Sequence, residues 1–387
     1  MMEFDAVAIL ERLVGFDTIS AKSNLALIEW VADYLGNYGI ASAVLRSDDG
    51  AKANLFATIG PADRGGVILS GHTDVVPVAG QVWDSDPFRL DHRSDSFYGR
   101  GTADMKGFIA LALALVPQAV ARPLQIPLHL ALSFDEEVGC LGVPALLDAL
   151  PQGAARPKLA IIGEPSEMRV ANAHKGIQFL RTSVIGHEAH SSAPEQGVNA
   201  IAAAAEIIAE IGRIAGDCRV AGSHDNRFDP PYTSFNIGRI EGGTAVNIIA
   251  RDCVFEWEFR TIPGASDVLP RRRVQEFIDN DLLPRLHARY PDTGVTTEIV
   301  AQVPPLVPDP ASPAEALARK LTGANEVTTI AFATEAGLFQ MAGIPAVICG
   351  PGSIAVAHKP NEYITSAQLA AGGEFLGRLL DWACRRE

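Results

Sequence analysis

The sequence predicts an α/β protein in two parts: a sheet flanked by helices, and an inserted ferredoxin-like unit of order βαββαβ. Three observations carry this expectation. Strand-like and helix-like runs alternate through residues 1–172, the order changes near Ala173, and alternation resumes after a proline-rich stretch at 304–313. The chain of 387 residues is long enough for two domains, and aliphatic residues, glycine and proline outnumber aromatics. The expected boundaries are 1–172 with 303–387 for the first domain and 173–302 for the inserted one.

The first forty residues read as two amphipathic helices. Ser23 or Asn24 is placed to cap the second, Ile28, Val31 and Leu35 share one face, and Gly36 can end it. Strand-like runs follow at 54–59, 67–70, 126–134 and 159–162, with helical runs at 107–120 and 144–150, where Pro144 suits a first helical position. In the second part, strands are expected at 174–185, 234–240, 254–260 and 296–303, with helices at 199–214 and 274–290. The last segment returns to a helix from Ala314, a strand at 346–349 and a closing helix at 366–382. In such sheets ligands gather beyond the carboxyl ends of the strands.

A formal charge of −14 and an isoelectric point near 5.1 argue against nucleic-acid binding. The five cysteines are scattered and include no CxxC pair, so neither a disulfide framework nor a thiolate zinc site is indicated. The acidic N-terminus lacks signal-peptide features, and the apolar window 108–120 is interrupted by Pro117 and too short for a bilayer. A soluble, cytoplasmic protein without a membrane partner is expected.

Five polar clusters stand where strands should end. The first is Ser70-Gly71-His72-Thr73-Asp74, a histidine with a carboxylate two positions on. A neutral imidazole suits a metal ion, and a neighbouring carboxylate commonly takes its other N–H, although a lone strand-end histidine is more often structural. The second, Gly99-Arg100-Gly101-Thr102-Ala103-Asp104, places Asp104 at a helix entrance, where an N-capping aspartate is the favoured account if the cluster is taken alone. The third, Asp135-Glu136-Glu137, ends a buried strand with three consecutive carboxylates, which is costly unless a cation compensates. Glu164 and His358, after two further strands, each have an alternative as a capping or surface residue. Together the clusters hold two histidines and several carboxylates, an inventory suited to two zinc-like ions with a shared carboxylate.

These motifs, in this order, resemble the dinuclear-zinc amidohydrolases that include acetylornithine deacetylase, succinyl-diaminopimelate desuccinylase, aminoacylase and the glutamate carboxypeptidases. The resemblance runs from His72 to the C-terminus; segments 133–143 and 350–358 look most like the acetylornithine deacetylases. It implies a zinc-peptidase-like mixed sheet flanked by helices, with the inserted domain serving as a dimerisation lid. It implies two divalent ions, zinc or alternatively cobalt or manganese. His72, Asp104 and Glu164 would hold one ion and Glu137, Asp104 and His358 the other, with a cis peptide at Asp104-Met105. Asp74 would orient His72. Glu136 would act as the general base on the attacking water and then protonate the departing amine. By the same resemblance His190 would reach the partner subunit's site in a homodimer, Asn247 would contact substrate, and Arg260 would grip the substrate carboxylate. An ion pair of Arg260 with Glu256 or Glu258 is the competing reading.

The implied activity is hydrolysis of the amide bond of a small N-acyl amino acid, N2-acetyl-L-ornithine first, as a step of arginine biosynthesis. Another N-acyl amino acid, succinyl-diaminopimelate or a dipeptide would need the same chemistry and different pockets. A non-catalytic amino-acid-binding dimer would be expected to lack a ligand or the base, and here every such position is filled. Glu335 resembles a family Thr-Glu-Ala segment and is expected near an amine-bearing side chain of the substrate. Cys140 and His129 read as buried structural residues, and His92, His187, His224 and His287 carry no assignment.

Overall fold

Val67, Ile68 and Leu69 lie in the middle of a large sheet and are almost wholly buried, as a continuous aliphatic run requires of a strand covered on both faces. In this computed structural model residues 2–385 are described, and they form two compact units. Of the described residues, the first comprises 2–173, 308–329 and 334–385, and the second comprises 174–307 and 330–333.

The first strands in chain order are β1 (Ser42–Arg46), β2 (Ala53–Ile59), β3 (Val67–His72), β4 (Asp91–Arg93) and β5 (Ser96–Tyr98). Next come β6 (Leu128–Ser133), β7 (Leu159–Pro165), β8 (Ala171–His174), β9 (Gly176–Ile185) and β10 (Ser234–Gly242). The last are β11 (Asp252–Thr261), β12 (Gly294–Val303), β13 (Thr328–Ile330), β14 (Ala346–Gly350) and β15 (Tyr363–Thr365). The large sheet has eight strands in the order β1-β2-β6-β3-β7-β14-β8-β13. Its four middle strands are mutually parallel: β3 pairs with β6 and β7, and β14 pairs with β7. Their carboxyl ends therefore share one edge, and β2 and β8 run antiparallel beside them.

The helix Gly107–Val120 is apolar all round and buried from Gly107 through Val116, packed against the helices Met2–Val14 and Ser366–Ala383. With the turn before it, the segment Thr102–Val120 is long and apolar enough to cross a membrane, longer than the window read from the sequence. Most of it (83 %) is buried inside the fold. Three short strands, β15-β5-β4, form a separate sheet that the sequence pattern did not signal. Each is only three residues long, too short for a period of two to register. At the second helix, Leu25–Gly36, Asn24 occupies the N-cap position without capping. Its side chain crosses instead to both backbone groups of Ala53 and to the Thr73 hydroxyl.

The second unit is an antiparallel sheet in the order β10-β11-β9-β12. The helices Ala200–Ala221 and Leu269–Phe277 pack with it. Alternation is clean on β11: Cys253, Phe255, Trp257 and Phe259 are buried, and the residues between them are not. Asn199 caps the first helix through the N–H groups of Ile201 and Ala202. That helix continues past Ile214, where its buried stripe ends, so its last two turns left no apolar signal in the sequence. The second helical stretch begins a turn before the expected 274, with Pro270 in its first turn, and passes through a π-helical turn at Ile278–Leu282.

Candidate active site

Because β6, β3, β7 and β14 are parallel, the polar clusters that follow them meet at one edge of the sheet. His72 closes β3, Glu136 and Glu137 follow β6, Glu164 lies near the end of β7, and His358 follows β14. Asp104 joins them from the loop before the helix at Gly107. That loop turns at Gly101, whose φ of +84° favours glycine, and the Asp104-Met105 peptide is cis. Asp104 itself has non-helical backbone angles and does not cap the helix. Gly163, just before Glu164, permits a close approach: a Cβ there would lie 2.0 Å from the Phe108 ring.

Asp104 faces both histidines. Its Oδ1 is 3.0 Å from His72 Nε2 and its Oδ2 is 3.2 Å from His358 Nε2. His358 Nε2 also lies 3.0 Å from Glu137 Oε2, and His72 Nε2 lies 3.9 Å from Glu164 Oε1. Two groups bring one ligand atom per residue within 4.8 Å of one another: His72, Glu136 and Glu164, and His72, Asp104 and Glu137. The three consecutive carboxylates divide their tasks. Asp135 pairs with Lys52, Glu136 accepts a weak hydrogen bond from the Cys140 thiol at 3.5 Å, and Glu137 faces His358.

Asp74 differs from expectation. The His72 Nδ1 contact at hydrogen-bond distance is with the main-chain carbonyl of Asp74, at 2.9 Å, and the Asp74 carboxylate stands 3.6 Å away. That carboxylate instead accepts the backbone N–H groups of Glu136 and Glu137, at 3.1 and 3.2 Å, and the Ser20 hydroxyl at 2.7 Å. The carboxylate fixes the turn carrying the two glutamates, and the Asp74 main-chain carbonyl holds the imidazole beside them.

The electrostatics show what the cluster wants. Burial, together with the neighbouring carboxylates, pushes Glu136 and Glu164 well above the usual range and Glu137 to about 7. Burial opposes the charged form of His72, but the hydrogen bond to Asp104 and the nearby Asp74 carboxylate outweigh it and hold the ring well above its ordinary value. Hydrogen bonds to Asp104 and Glu137 push His358 up to about 10. Four acidic side chains thus crowd around two imidazoles that must serve as the cations. Glu164 Oε1 is buried and has no hydrogen-bond partner among the described residues. Crowded oxygens, two imidazole nitrogens and an orphaned carboxylate oxygen fit divalent cations.

Residues 68–382 match Peptidase family M20/M25/M40. The chain belongs to that family. A curated relative, the acetylornithine deacetylase of Proteus mirabilis, is 33 % identical over 389 residues, covering 98 % of this chain and 97 % of that protein. Among solved structures, an M20 family metallo-carboxypeptidase from Sulfolobus solfataricus superposes with a TM-score of 0.78 at 16 % identity, covering 98 % of this chain and 99 % of that one. A dinuclear metal-binding M20 peptidase from Bacillus subtilis does so at 0.63 and 15 % identity, covering 98 % and 97 %. The zinc-peptidase-like fold expected from the sequence is therefore the fold of this M20 protein, and the chain is a metallo-amidohydrolase of that family.

The remaining expected residues lie in the second unit. His190 is exposed, with Nδ1 2.8 Å from the Ser192 hydroxyl, and Asn247 is exposed beside it, its carbonyl accepting the N–H of Ser191 at 3.0 Å. Arg260 donates from Nε to Glu258 Oε1 at 2.9 Å, the ion pair that the sequence offered as its competing reading. Glu335 corrects an expectation outright. Its carboxylate is wholly buried and accepts the hydroxyls of Ser70 and Ser133, the latter at 2.8 Å, so it is not available to a substrate amine. Sequence reasoning also missed Glu362 and Arg100, a buried pair behind Asp104. The only available signal was an arginine beside two glycines.

Proposed function

We propose that this M20 protein is a homodimeric, zinc-dependent deacylase that cleaves N2-acetyl-L-ornithine to L-ornithine and acetate, as a step of arginine biosynthesis in the cytoplasm. The observation that carries the chemistry is Asp104, with one oxygen toward His72 and the other toward His358 and Glu136 alongside. The choice of substrate is supported by the relative named acetylornithine deacetylase, which matches nearly the whole chain. His72 and Glu164 would hold one ion and Glu137 and His358 the other, with Asp104 common to both. The ions would supply Lewis-acid polarisation of the amide carbonyl and acidify the attacking water.

The chain's own residues do the rest. Glu136 accepts a proton from that water at a carboxylate oxygen and returns it to the departing nitrogen, a role served by burial and by acidic neighbours that keep its proton affinity high. Asp74 keeps Glu136 in place through its backbone N–H. Arg260 exchanges Glu258 for the substrate carboxylate, Asn247 contacts the substrate, and His190 donates to the oxyanion from the partner subunit.

The test is kcat/KM on zinc-loaded protein for N2-acetyl-L-ornithine, N-acetyl-L-methionine, N-succinyl-diaminopimelate and a dipeptide, each with a chelated control. A preference for acetylornithine that chelation abolishes is expected. A flat or shifted profile would keep amide hydrolysis and remove acetylornithine. Inactivity on every member would overturn the catalytic reading.

A further inference from the structure

Arg100 and Glu362 form an ion pair in the interior of the first unit, Nη1 to Oε2 at 2.7 Å, with side chains 1 % and 0 % exposed. An ion pair this deep costs more in lost hydration than it returns unless its remaining hydrogen-bonding capacity is used. Here it is used. Glu362 Oε2 also accepts the N–H of Gly101 at 3.1 Å, and Oε1 accepts those of Ala103 at 2.9 Å and Asp104 at 3.1 Å. One carboxylate thus gathers three amides of the loop that carries Asp104.

The other side of the guanidinium points toward His358. Arg100 Nη2 donates to Gln81 Oε1 at 2.6 Å and Nη1 to the Lys359 carbonyl at 3.3 Å, and the group lies over the Trp83 ring. Gln81 Nε2 then donates to the carbonyl of His358 at 2.9 Å. His358 has a φ of +61°, a backbone conformation that a non-glycine residue keeps only when its surroundings impose it. A continuous path therefore joins the Asp104 amide, Glu362, Arg100, Gln81 and the His358 carbonyl. Its two ends are the residues whose side chains face each other at 3.2 Å.

We propose that Glu362, Arg100 and Gln81 are positioning residues that set the spacing of Asp104 and His358, so that one cation half-site is assembled as a rigid unit. This inference rests on the two-cation reading above. None of the three is placed against substrate. Their effect passes through the two residues they hold, as outer partners of metal ligands typically do, at about 10–100-fold in affinity each.

The test is titration of chelator-stripped full-length protein with Co²⁺, followed by calorimetry and by visible absorption. Gln81→Ala breaks the path at its His358 end, at the cost of the Arg100 and Trp83 donations to the Gln81 oxygen, and leaves Glu362 and its three amides in place, at a half-buried position. It should leave the first equivalent within about threefold of native and weaken the second by roughly tenfold or more, with a changed visible band for that equivalent alone. Glu362→Gln should weaken both equivalents, because Asp104 is common to both. Native affinity and spectrum for both equivalents in Gln81→Ala would overturn the proposal, and so would equal weakening of the two. If Glu362→Gln does not fold, judged by circular dichroism, Gln81→Ala decides alone. A native protein that binds fewer than two equivalents would remove the two-cation reading itself, an outcome distinct from either of these.

Discussion

Glu136 and Glu137 are adjacent, yet their carboxylates face different neighbours, His72 and Glu164 for one and His358 for the other. The turn that separates them begins at Asp135, whose φ is +56°, and is held by Lys52 on the Asp135 side chain and by Asp74 on the two amides. Glutamine at position 136 keeps this shape and removes only the ability to take a proton. Glu136→Gln should therefore lower kcat by about 10²–10⁴-fold, while metal content and the circular dichroism spectrum stay native. Turnover within a few-fold of native would show that the base lies elsewhere. His72, Glu136, Glu137 and Glu164, all legible in the sequence, share one property: each sits at or within a few residues of the end of a buried strand, where a charge has no packing reason to be, whereas Asp104 stands in the loop before the helix at Gly107. Glu362 and Arg100 had no such mark. They are separated by 262 positions, and nothing local distinguishes a buried glutamate in Asn361-Glu362-Tyr363 from a surface one.

Between strands, the same logic explains Glu335. Ser70 lies on β3 two residues before His72, and Ser133 closes β6 just before the three acidic residues. One buried carboxylate accepts both hydroxyls and so ties the two strand ends that present the site. Burial raises its proton affinity and the two serines lower it. Glu335→Ala would leave both hydroxyls without this partner, and should lower the unfolding free energy by about 2–4 kcal/mol in urea. Glu335→Gln should cost less, because its oxygen can accept one hydroxyl and its amide can donate to the other. A loss of substrate affinity in Glu335→Gln with unchanged stability would restore the substrate-facing role expected from the sequence. At this scale the parallel strands, the core helix and the βαββαβ order were readable from periodicity and alternation. The three-residue strands were not, because they are shorter than the pattern that would announce them.

For the whole molecule, the decisive property is whether one chain completes a site or two are needed. The cation cluster belongs to the first unit, and His190 and Asn247 belong to the second, exposed on loops joined by the Ser191–Asn247 hydrogen bond. If His190 serves the partner subunit, two individually inactive variants complement each other. In a dimer of one His190→Ala chain and one Glu136→Gln chain, the first chain keeps its own Glu136 and receives an intact His190 from its partner. The second chain's site lacks the base in any case. Random reassembly of equal amounts makes half of the dimers mixed, each with one working site of two, so activity should recover to about one quarter of native while each variant alone stays near zero. If His190 acts within its own chain, every site in the mixture lacks either the base or the histidine, and recovery should be absent. Separating the mixed dimer with two affinity tags raises the expected figure to about one half of native per dimer, which distinguishes complementation from slow exchange of subunits.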